Sequence, residues 1–375
     1  MKKILTNELL EYRYDSFDDV LKHREFEYPF DKNLINLLKT ENKNEQEYIY
    51  LEKGKSFAFL VLYKMKMNIF TFGKLSCYIN MKVVGYPCSL SESGYITNDE
   101  NIMLEYVKNI KGAKLVLNVA KPVKERNYVI GETLPTCILN IYFKTLKEYL
   151  EHLRSSYRRR LNKAIKNCQD IEIKEINELS EMKKIDEMNE SDETNESDET
   201  KESDETKESD VIKETEKAEE TDNLSEDIYN LYLNTYNKSN YKLEKLEKGF
   251  FEKVNATKLV FLKEDKPIGF VLLKKVKGKL VFMLCGMDYE YDTTDLYYYM
   301  LLNIVEYAIK NNCNIIDFGQ TSEETKMKFG AVLEKRYFYA HHSNKLLNQI
   351  VKLGKGVLEY NYKFPNYRVF KENES

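Results

Sequence analysis

The sequence predicts an α+β protein with two tandem units, each a mixed, mostly antiparallel sheet flanked by helices. Three observations lead to this prediction. Residues 47–95 and 258–288 each read as a series of short apolar strands separated by turns. A helix-length amphipathic segment follows each series, and one further apolar strand follows each helix. Only this order of elements repeats, because the two halves share no residue-by-residue identity.

The first unit is expected to span residues 1–134. Glycines break residues 47–95 into strand-length runs, as in a β meander. Residues 98–112 then carry apolar side chains at helical spacing and end in a glycine, which predicts a helix. The apolar run AKLVLNVAK, residues 113–121, completes the unit as a buried strand.

The segment that follows, residues 135–182, carries a helical pattern with a strongly cationic side. Its apolar side chains recur at three- and four-residue steps: Leu150, Leu153, Tyr157, Leu161, Ala164, Ile165 and Cys168. Arginines and lysines cover the other faces, so we predict one long amphipathic helix. The planar forks of Arg158 and Arg159 suit phosphate or carboxylate groups, which makes these residues candidates for substrate or cofactor binding. A solvated helix face is the alternative.

An acidic repeat interrupts the second half. NESDET at 189–194 recurs at 195–200 and, as KESDET, at 201–206. Residues 181–222 hold 19 Asp and Glu against six Lys, whereas the rest of the chain has 52 Lys and Arg against 43 acidic residues. The repeated hexad has no apolar side chain, which predicts a disordered insert at 183–222. The basic remainder favours an anionic ligand or an RNA surface, unless its charge serves only solubility.

The second unit is therefore expected to comprise residues 135–182 and 223–375. After the insert the sequence predicts a helix at 224–237, three strands between 258 and 288, a helix from about 294 to 311, and the strand NIIDFG at 314–319. This order matches that of the first unit, and the second copy is the more regular of the two.

The residue pattern argues against several chemistries. The six cysteines form no CxxC pair and have no metal-ligand spacing to the four histidines, so we expect free thiols and no metal. His341 and His342 have no accompanying GxSxG motif, which argues against a Ser-His-Asp relay. No run approaches about twenty apolar residues. We therefore expect a soluble, cytoplasmic protein without a membrane span.

Two stretches together resemble a known family. They are EYLEHLRSSYRRRLNKAIK, residues 148–166, and LLNIVEYAIKNNCNIIDFGQTSEETKMKFGA, residues 301–331. The pair resembles the GNAT-type acyltransferases of the FemAB-like and CelD-like branch, over about 135–345 outside the insert and more loosely over 45–130. The resemblance implies two tandem GNAT-like units with the acyl-CoA N-acyltransferase fold. The first would be degenerate and the second catalytic.

One departure from that family concerns the acyl donor. Ordinary GNAT enzymes carry a glycine-rich phosphate loop where this chain has MDYEYDTTD, residues 287–295, without a glycine. The resemblance implies acetyl-CoA or another acyl-CoA as co-substrate. In the bridge-building FemAB-like members the donor is aminoacyl-tRNA, so the choice of donor stays open.

The candidate site residues gather where the last strand of the motif opens. Asp317 and Gln320 are predicted to contact substrate or relay a proton, and the Tyr298 hydroxyl to assist the leaving group. The resemblance adds Thr321 and Lys326 as substrate- or cofactor-binding residues. Each residue also has a structural alternative, as a turn, packing or surface residue.

These expectations combine into one leading function. The protein would be an N-acyltransferase, in the simplest case an acetyltransferase, that moves an acyl group from acyl-CoA to an amine by direct attack. The acceptor would be a small-molecule or cell-envelope amine. Two alternatives stay open: an aminoacyl-tRNA-dependent ligase that acts on a peptidoglycan precursor and binds tRNA, and a GNAT-like binding protein without activity.

Overall fold

The computed structural model describes residues 2–6, 9–72, 75–88, 90–177, 224–239, 242, 244–291 and 293–371. At residues 2–6 and 293 it describes the backbone alone. The acidic insert predicted at 183–222 lies outside the described residues.

Strands and helices follow one another in the order that the sequence predicts for both halves. The strands are β1 Lys2–Thr6, β2 Leu9–Tyr14, β3 Gln46–Lys53, β4 Ser56–Asn68, β5 Tyr78–Val84, β6 Tyr95–Thr97, β7 Ala113–Val119, β8 Val129–Asn140, β9 Glu172–Ile176, β10 Thr257–Lys263, β11 Lys266–Val276, β12 Lys279–Met287, β13 Ile315–Asp317 and β14 Val332–His342. The helices are α1 Phe17–Leu21, α2 Lys32–Thr40, α3 Glu100–Asn109, α4 Leu146–His152, α5 Ser155–Asn167, α6 at 224–238, α7 Lys248–Lys253, α8 Thr293–Lys310, α9 Glu323–Met327, α10 Lys345–Leu353 and α11 Lys355–Leu358.

The fourteen described strands belong to one sheet. Its order is β1-β2-β3-β4-β5-β7-β14-β8-β13-β12-β11-β10-β9, and β6 pairs with β4. β5 runs parallel to β7 and β12 runs parallel to β13, whereas the other neighbours are antiparallel. This arrangement confirms the predicted α+β class with mixed, mostly antiparallel pairing. The two halves share a single sheet, and the boundary predicted at residue 134 falls inside β8.

The C-terminal strand β14 joins the two halves. It pairs with β7 through Tyr339 and Val116, and with β8 through Tyr339 and Ile130. The β7 register shifts between Val116 and Val119, where Asn118 adopts a left-handed φ of 56°. An extra residue of this kind is a β-bulge, which re-aims a side chain. The bulge directs the Asn118 side chain towards Gln320, one of the candidate site residues.

Helices cover both faces of the sheet. α8 packs with α4 and α5 on one face of the second half, around the fully buried Met300, Leu301 and Ile304. On the other face, α6 and α7 share one hydrophobic cluster with α1 and α2 of the first half, which includes Phe17 and Phe250. The two halves therefore bury a common core in addition to sharing a sheet.

The prediction of one long basic helix is wrong, because the structure divides it into α4 and α5. Leu153, between the two helices, is extended at φ −70° and ψ 143° and forms a β-bridge with Phe370. Next to it, Arg154 N donates to Val369 O at 2.9 Å. The break depends on this contact with the C-terminal segment. Helical periodicity is a local pattern and carries no information about such a long-range contact.

Candidate active site

The parallel strands β12 and β13 diverge after a short register. Their last pair joins Val281 and Asp317. Beyond it β12 continues to Met287 and, among the described strands, pairs there with β11 alone. Gly319, with a φ of +69°, turns the chain after β13. Beyond Val281, β12 therefore has no strand partner on its β13 side among the described strands.

Asp317 is buried at this last registered pair, and its contacts hold it in place. Lys279 Nζ lies 2.7 Å from one carboxylate oxygen, and Gly319 N donates to the other at 2.9 Å. Lys279 also lies 3.5 Å from Glu92, which belongs to the first half. Asp317 thus orders the turn after β13 and connects the two halves through Lys279.

The Gln320 side chain reaches into the first half. Its Nε2 donates to Asn118 Oδ1 at 3.0 Å and to Leu134 O at 2.6 Å. These two bonds use both amide hydrogens, so the side chain anchors the segment that follows β13. The Gln320 carbonyl oxygen accepts a hydrogen bond from Lys326 Nζ at 2.7 Å.

Lys326 is a buried cation on α9. It is 2% exposed, and no carboxylate of a described residue lies within ion-pair distance of its ammonium. Burial therefore lowers the pKa of Lys326. Two thiols lie within its electrostatic range, and burial raises the pKa of Cys137 to about 12 and that of Cys285 to about 11. Both cysteines are thiols, not thiolates, at neutral pH.

Glu323 lies on the same face of α9 as Lys326. Glu323 and its neighbour Glu324 are the acidic residues of the first turn, where negative charge interacts favourably with the helix dipole. The structure separates the two: Glu324 Oε1 accepts from the Tyr367 hydroxyl at 2.6 Å and lies 3.0 Å from Lys328 Nζ. Glu323 is 7% exposed, and its Oε1 is buried with no hydrogen-bond partner among the described residues. A buried carboxylate oxygen without a partner is costly and calls for an explanation.

A groove of about 440 Å³ opens beside the start of α9. Aromatic rings and the acidic start of the helix form its walls: Phe72, Ser322, Glu323, Glu324, Thr325, Tyr360, Asn361, Tyr362 and Phe364. The Phe72 and Tyr360 ring centroids are 5.1 Å apart, and those of Tyr362 and Phe364 are 4.4 Å apart. We call this the α9 groove. A carboxylate with one unpartnered oxygen beside aromatic rings suits an organic cation.

Tyr298 lies away from the α9 groove. Its ring packs 5.6 Å from that of Phe329, and the Arg160 guanidinium lies 3.9 Å above it. The neighbouring Tyr297 is instead hydrogen-bonded to Ser322, a groove residue, and burial raises the pKa of its hydroxyl. Of the tyrosines that open α8, Tyr297 therefore approaches the groove, whereas the role predicted for Tyr298 stays a prediction.

The other predicted binding residues also lie outside the groove lining. Arg158 is half-buried and Arg159 exposed, and neither side chain forms an ion pair with a described residue. Arg160 is the arginine of this group that turns inward, with Nη1 2.6 Å from Asp295. Thr321 is half-buried at a left-handed φ of 63°, next to Ser322 at 50°. Two consecutive left-handed residues make this a strained turn.

A comparison of the sequence with known families bears directly on this site. The sequence profile described as acetyltransferase (GNAT) domain matches residues 207–327, a range that includes Glu323 and Lys326. The chain contains a GNAT-type domain. The resemblance to the GNAT superfamily that the sequence predicts is thereby confirmed, and with it the transferase character of the domain. No curated protein matches the chain significantly.

Several solved structures are similar to this chain. The C-terminal DUF2156 domain of an Agrobacterium fabrum protein named as a lysylphosphatidylglycerol synthetase is 10% identical, with a TM-score of 0.49 over 92% of this chain and 95% of that one. FemX is 12% identical, with a TM-score of 0.41 over 84% and 92%. A tandem GNAT protein from the clavulanic acid biosynthesis pathway is 8% identical, with a TM-score of 0.45 over 90% and 99%.

Proposed function

We propose that the protein is an N-acyltransferase that moves an acyl group to an amine held in the α9 groove. The observation that carries this proposal is the buried carboxylate of Glu323, which lines the groove and whose Oε1 has no partner among the described residues. Glu323 lies in the GNAT-matched range and closely follows β13, where the sheet diverges.

The chemistry of the groove favours an ammonium group. An alkyl amine is a cation at neutral pH, and Glu323 offers it a carboxylate oxygen that has no hydrogen-bond partner among the described residues. The rings of Phe72, Tyr360 and Tyr362 add cation–π attraction, at about 0.5–2 kcal/mol for a favourable contact. Glu324 contributes less, because it is already bonded to two neighbours.

Glu323 then serves as the general base. It takes one proton from the ammonium and leaves a neutral nitrogen, which is the nucleophile that amide formation requires. The nitrogen lone pair forms the new C–N bond while the bond between the acyl carbon and the donor heteroatom breaks. The second nitrogen proton passes to the leaving group. Lys326 is a positioning residue in this scheme, since it holds the Gln320 carbonyl and balances the charge of Glu323.

The cysteines near Lys326 support direct attack over a covalent acyl-enzyme. A cysteine nucleophile reacts as the thiolate, and activation requires a lowered pKa. Burial has the opposite effect on Cys137 and Cys285, whose pKa values are raised to about 12 and about 11. The acyl group would therefore pass to the amine in one transfer.

Acetyl-CoA or another acyl-CoA is the donor that we propose. The open edge of β12 offers backbone groups to an extended chain, and Arg158 and Arg159 offer charge to an anionic one. Aminoacyl-tRNA is the second candidate, in a ligase that acts on a peptidoglycan precursor. The glycine-free stretch 287–295 favours it, because that stretch lacks the usual phosphate loop. Salt-sensitive binding of charged tRNA would select this second donor.

The proposal is tested by incubating the full chain with acetyl-CoA, longer acyl-CoAs and a panel of alkyl amines. Glu323→Gln keeps the shape of the side chain and removes the base, so we expect kcat to fall by about 100-fold or more. Glu324→Gln changes the same charge on the next residue and is the matched control, with a loss of less than about fivefold. Equal activity of wild type and Glu323→Gln, with both folded by circular dichroism, would refute the assignment of the base.

A further inference from the structure

Helix α10 presents its apolar side to solvent. Leu346, Ile350 and Leu353 recur at helical spacing and are 73%, 57% and 88% exposed. Val357 of α11 adds another exposed apolar side chain, at 46%. Single exposed leucines are common on protein surfaces, but a contiguous group of large apolar side chains marks an interaction site. We call these four residues the α10 stripe.

The rotation of α10 that exposes the stripe is fixed by buried hydrogen bonds. Asn348, on the opposite side of the helix, is 8% exposed. Its Oδ1 accepts from His342 N at 2.9 Å, and its Nδ2 donates to Asn127 O at 3.0 Å. Val351 packs beside it against the small core cluster around Phe338. The usual polarity of a surface helix is therefore inverted, with a polar residue inside and leucines outside.

Lysines are the charged residues that accompany the stripe. Residues 343–358 contain Lys345, Lys352 and Lys355 and no Asp or Glu. Lys352 Nζ donates to the Arg126 carbonyl at 3.2 Å, and Lys355 lies 3.3 Å from Glu359, just beyond the segment. An apolar helix side accompanied by lysines is the pattern of helices that lie in the interface of an anionic bilayer.

We propose that the α10 stripe docks the protein on the surface of a bilayer that contains anionic lipid. α10 has nine residues, and no helix in the described part of the chain is long and apolar enough to cross a membrane, so the contact would be superficial. A second copy of the chain fits less well. A symmetric contact would bring the lysines of both copies together, whereas anionic headgroups neutralise them.

The natural chain contains no tryptophan, so one introduced tryptophan reports on this surface alone. The full-length Leu353→Trp variant is mixed with phosphatidylcholine vesicles containing phosphatidylglycerol, and its emission should shift to the blue as the indole enters the interface. Tyr142→Trp is the matched control, because Tyr142 is 78% exposed and lies outside the stripe. Its emission should stay unchanged. Vesicles of phosphatidylcholine alone should bind about tenfold less protein.

A second variant replaces the three stripe residues that lie on α10. Leu346→Ser, Ile350→Ser and Leu353→Ser together leave the buried side of α10 intact, so the chain should keep its circular dichroism and thermal midpoint. Cosedimentation with the anionic vesicles should fall about tenfold or more. Undiminished cosedimentation of this triple variant overturns the proposal, as does unshifted emission of Leu353→Trp. A dimer that the triple variant loses, without vesicle binding by the wild type, would assign the stripe to a second copy and also overturn it. The test is independent of acyl transfer.

Discussion

The parallel pairs β5–β7 and β12–β13 hold equivalent places in the two halves, yet their open ends differ. Each pair is connected through one helix, α3 or α8, and each is in register over a few residues, four pairs in the first and three in the second. Helix α9 lies at the open end of β12 and β13: the Nζ of its buried Lys326 is 5.8 Å from the Phe282 ring centroid, and its first residues line the α9 groove. β5 and β7 diverge towards a loop segment of the first half itself.

At the first pair, residues 90–94 occupy the open end. Gly94 packs directly on Gly85, since a Cβ built on Gly94 would lie 2.1 Å from the Gly85 carbonyl carbon. From the β7 side, the Asn118 side chain donates to Leu90 O at 3.0 Å. The chain thus fills the open end of the first pair with its own backbone. A repeated architecture does not imply a repeated site.

Gly94→Ala should produce the largest loss of stability, because it adds a Cβ where the chain fills the end of the β5–β7 pair. The added Cβ would meet backbone atoms that have no room to move, so we expect a loss of more than about 4 kcal/mol or failure to fold. Gly319→Ala is the matched change at the second pair. There the nearest atom to the Cβ is Phe282 O at 3.7 Å, and the left-handed φ alone opposes the change, at about 1–2 kcal/mol. Urea unfolding measures both; equal losses would remove the distinction between the two ends.

Asp317→Asn should produce the second largest loss of stability. Asp317, at the end of the β12–β13 pair, is connected through Lys279 to Glu92, which lies in the segment at the end of the β5–β7 pair. The amide keeps the shape of the side chain but removes the buried partner of Lys279 and leaves it only Glu92, 3.5 Å away, which costs about 3 kcal/mol. Asp170→Asn is the control, because Asp170 pairs with Lys263 at 3.0 Å on the surface and should leave stability unchanged. Should Asp317→Asn keep its unfolding free energy but lose transfer activity, Asp317 acts in the chemistry and not as a link.

The strand series and the helix after each of them could be predicted because their signals are local. Alternating apolar residues and glycine breaks lie within a few positions of one another. The break at Leu153 could not be predicted, because it depends on Phe370 near the end of the chain. The exposure of Leu353 was equally hidden, since it depends on the buried hydrogen bonds of Asn348 on the opposite side of α10.

At the candidate site, the family resemblance located Gln320 and Lys326 but not their surroundings. The burial of Glu323 depends on how α9 packs, which no short-range pattern encodes. One signal was available: Glu323 and Lys326 are three residues apart on a helix and so share a face. If Lys326 is buried, Glu323 on the same helix face is expected to be buried as well.

Lys326→Met should change stability least and in the opposite direction. Methionine keeps an unbranched apolar side chain in place of the lysine stem and removes the buried ammonium. Burial lowers the pKa of Lys326, so the folded state holds this proton less tightly than the unfolded state. The buried ammonium therefore opposes folding below its folded-state pKa, and we expect the variant to be about 1 kcal/mol more stable there. Acyl transfer should fall at the same time, because Glu323 loses its nearby positive charge.

The pH dependence of this gain tests its cause. Below the folded-state pKa of Lys326 both states are protonated, and the wild type bears the full penalty. As the pH rises from there to the ordinary lysine pKa, the folded state loses its proton first, and wild-type stability rises towards that of the variant. The difference measured by urea unfolding should be widest below the folded-state pKa of Lys326 and shrink as the pH rises towards the ordinary lysine pKa. Lys328→Met, at a partly exposed lysine paired with Glu324, should show no such trend. A Lys326→Met variant that is less stable than wild type at neutral pH would contradict this prediction. It would mean that the hydrogen bond from Lys326 to the Gln320 carbonyl stabilises the fold by more than the buried charge destabilises it. Lys326 would then stabilise the end of the β12–β13 pair, as the packing of Gly94 stabilises the end of the β5–β7 pair.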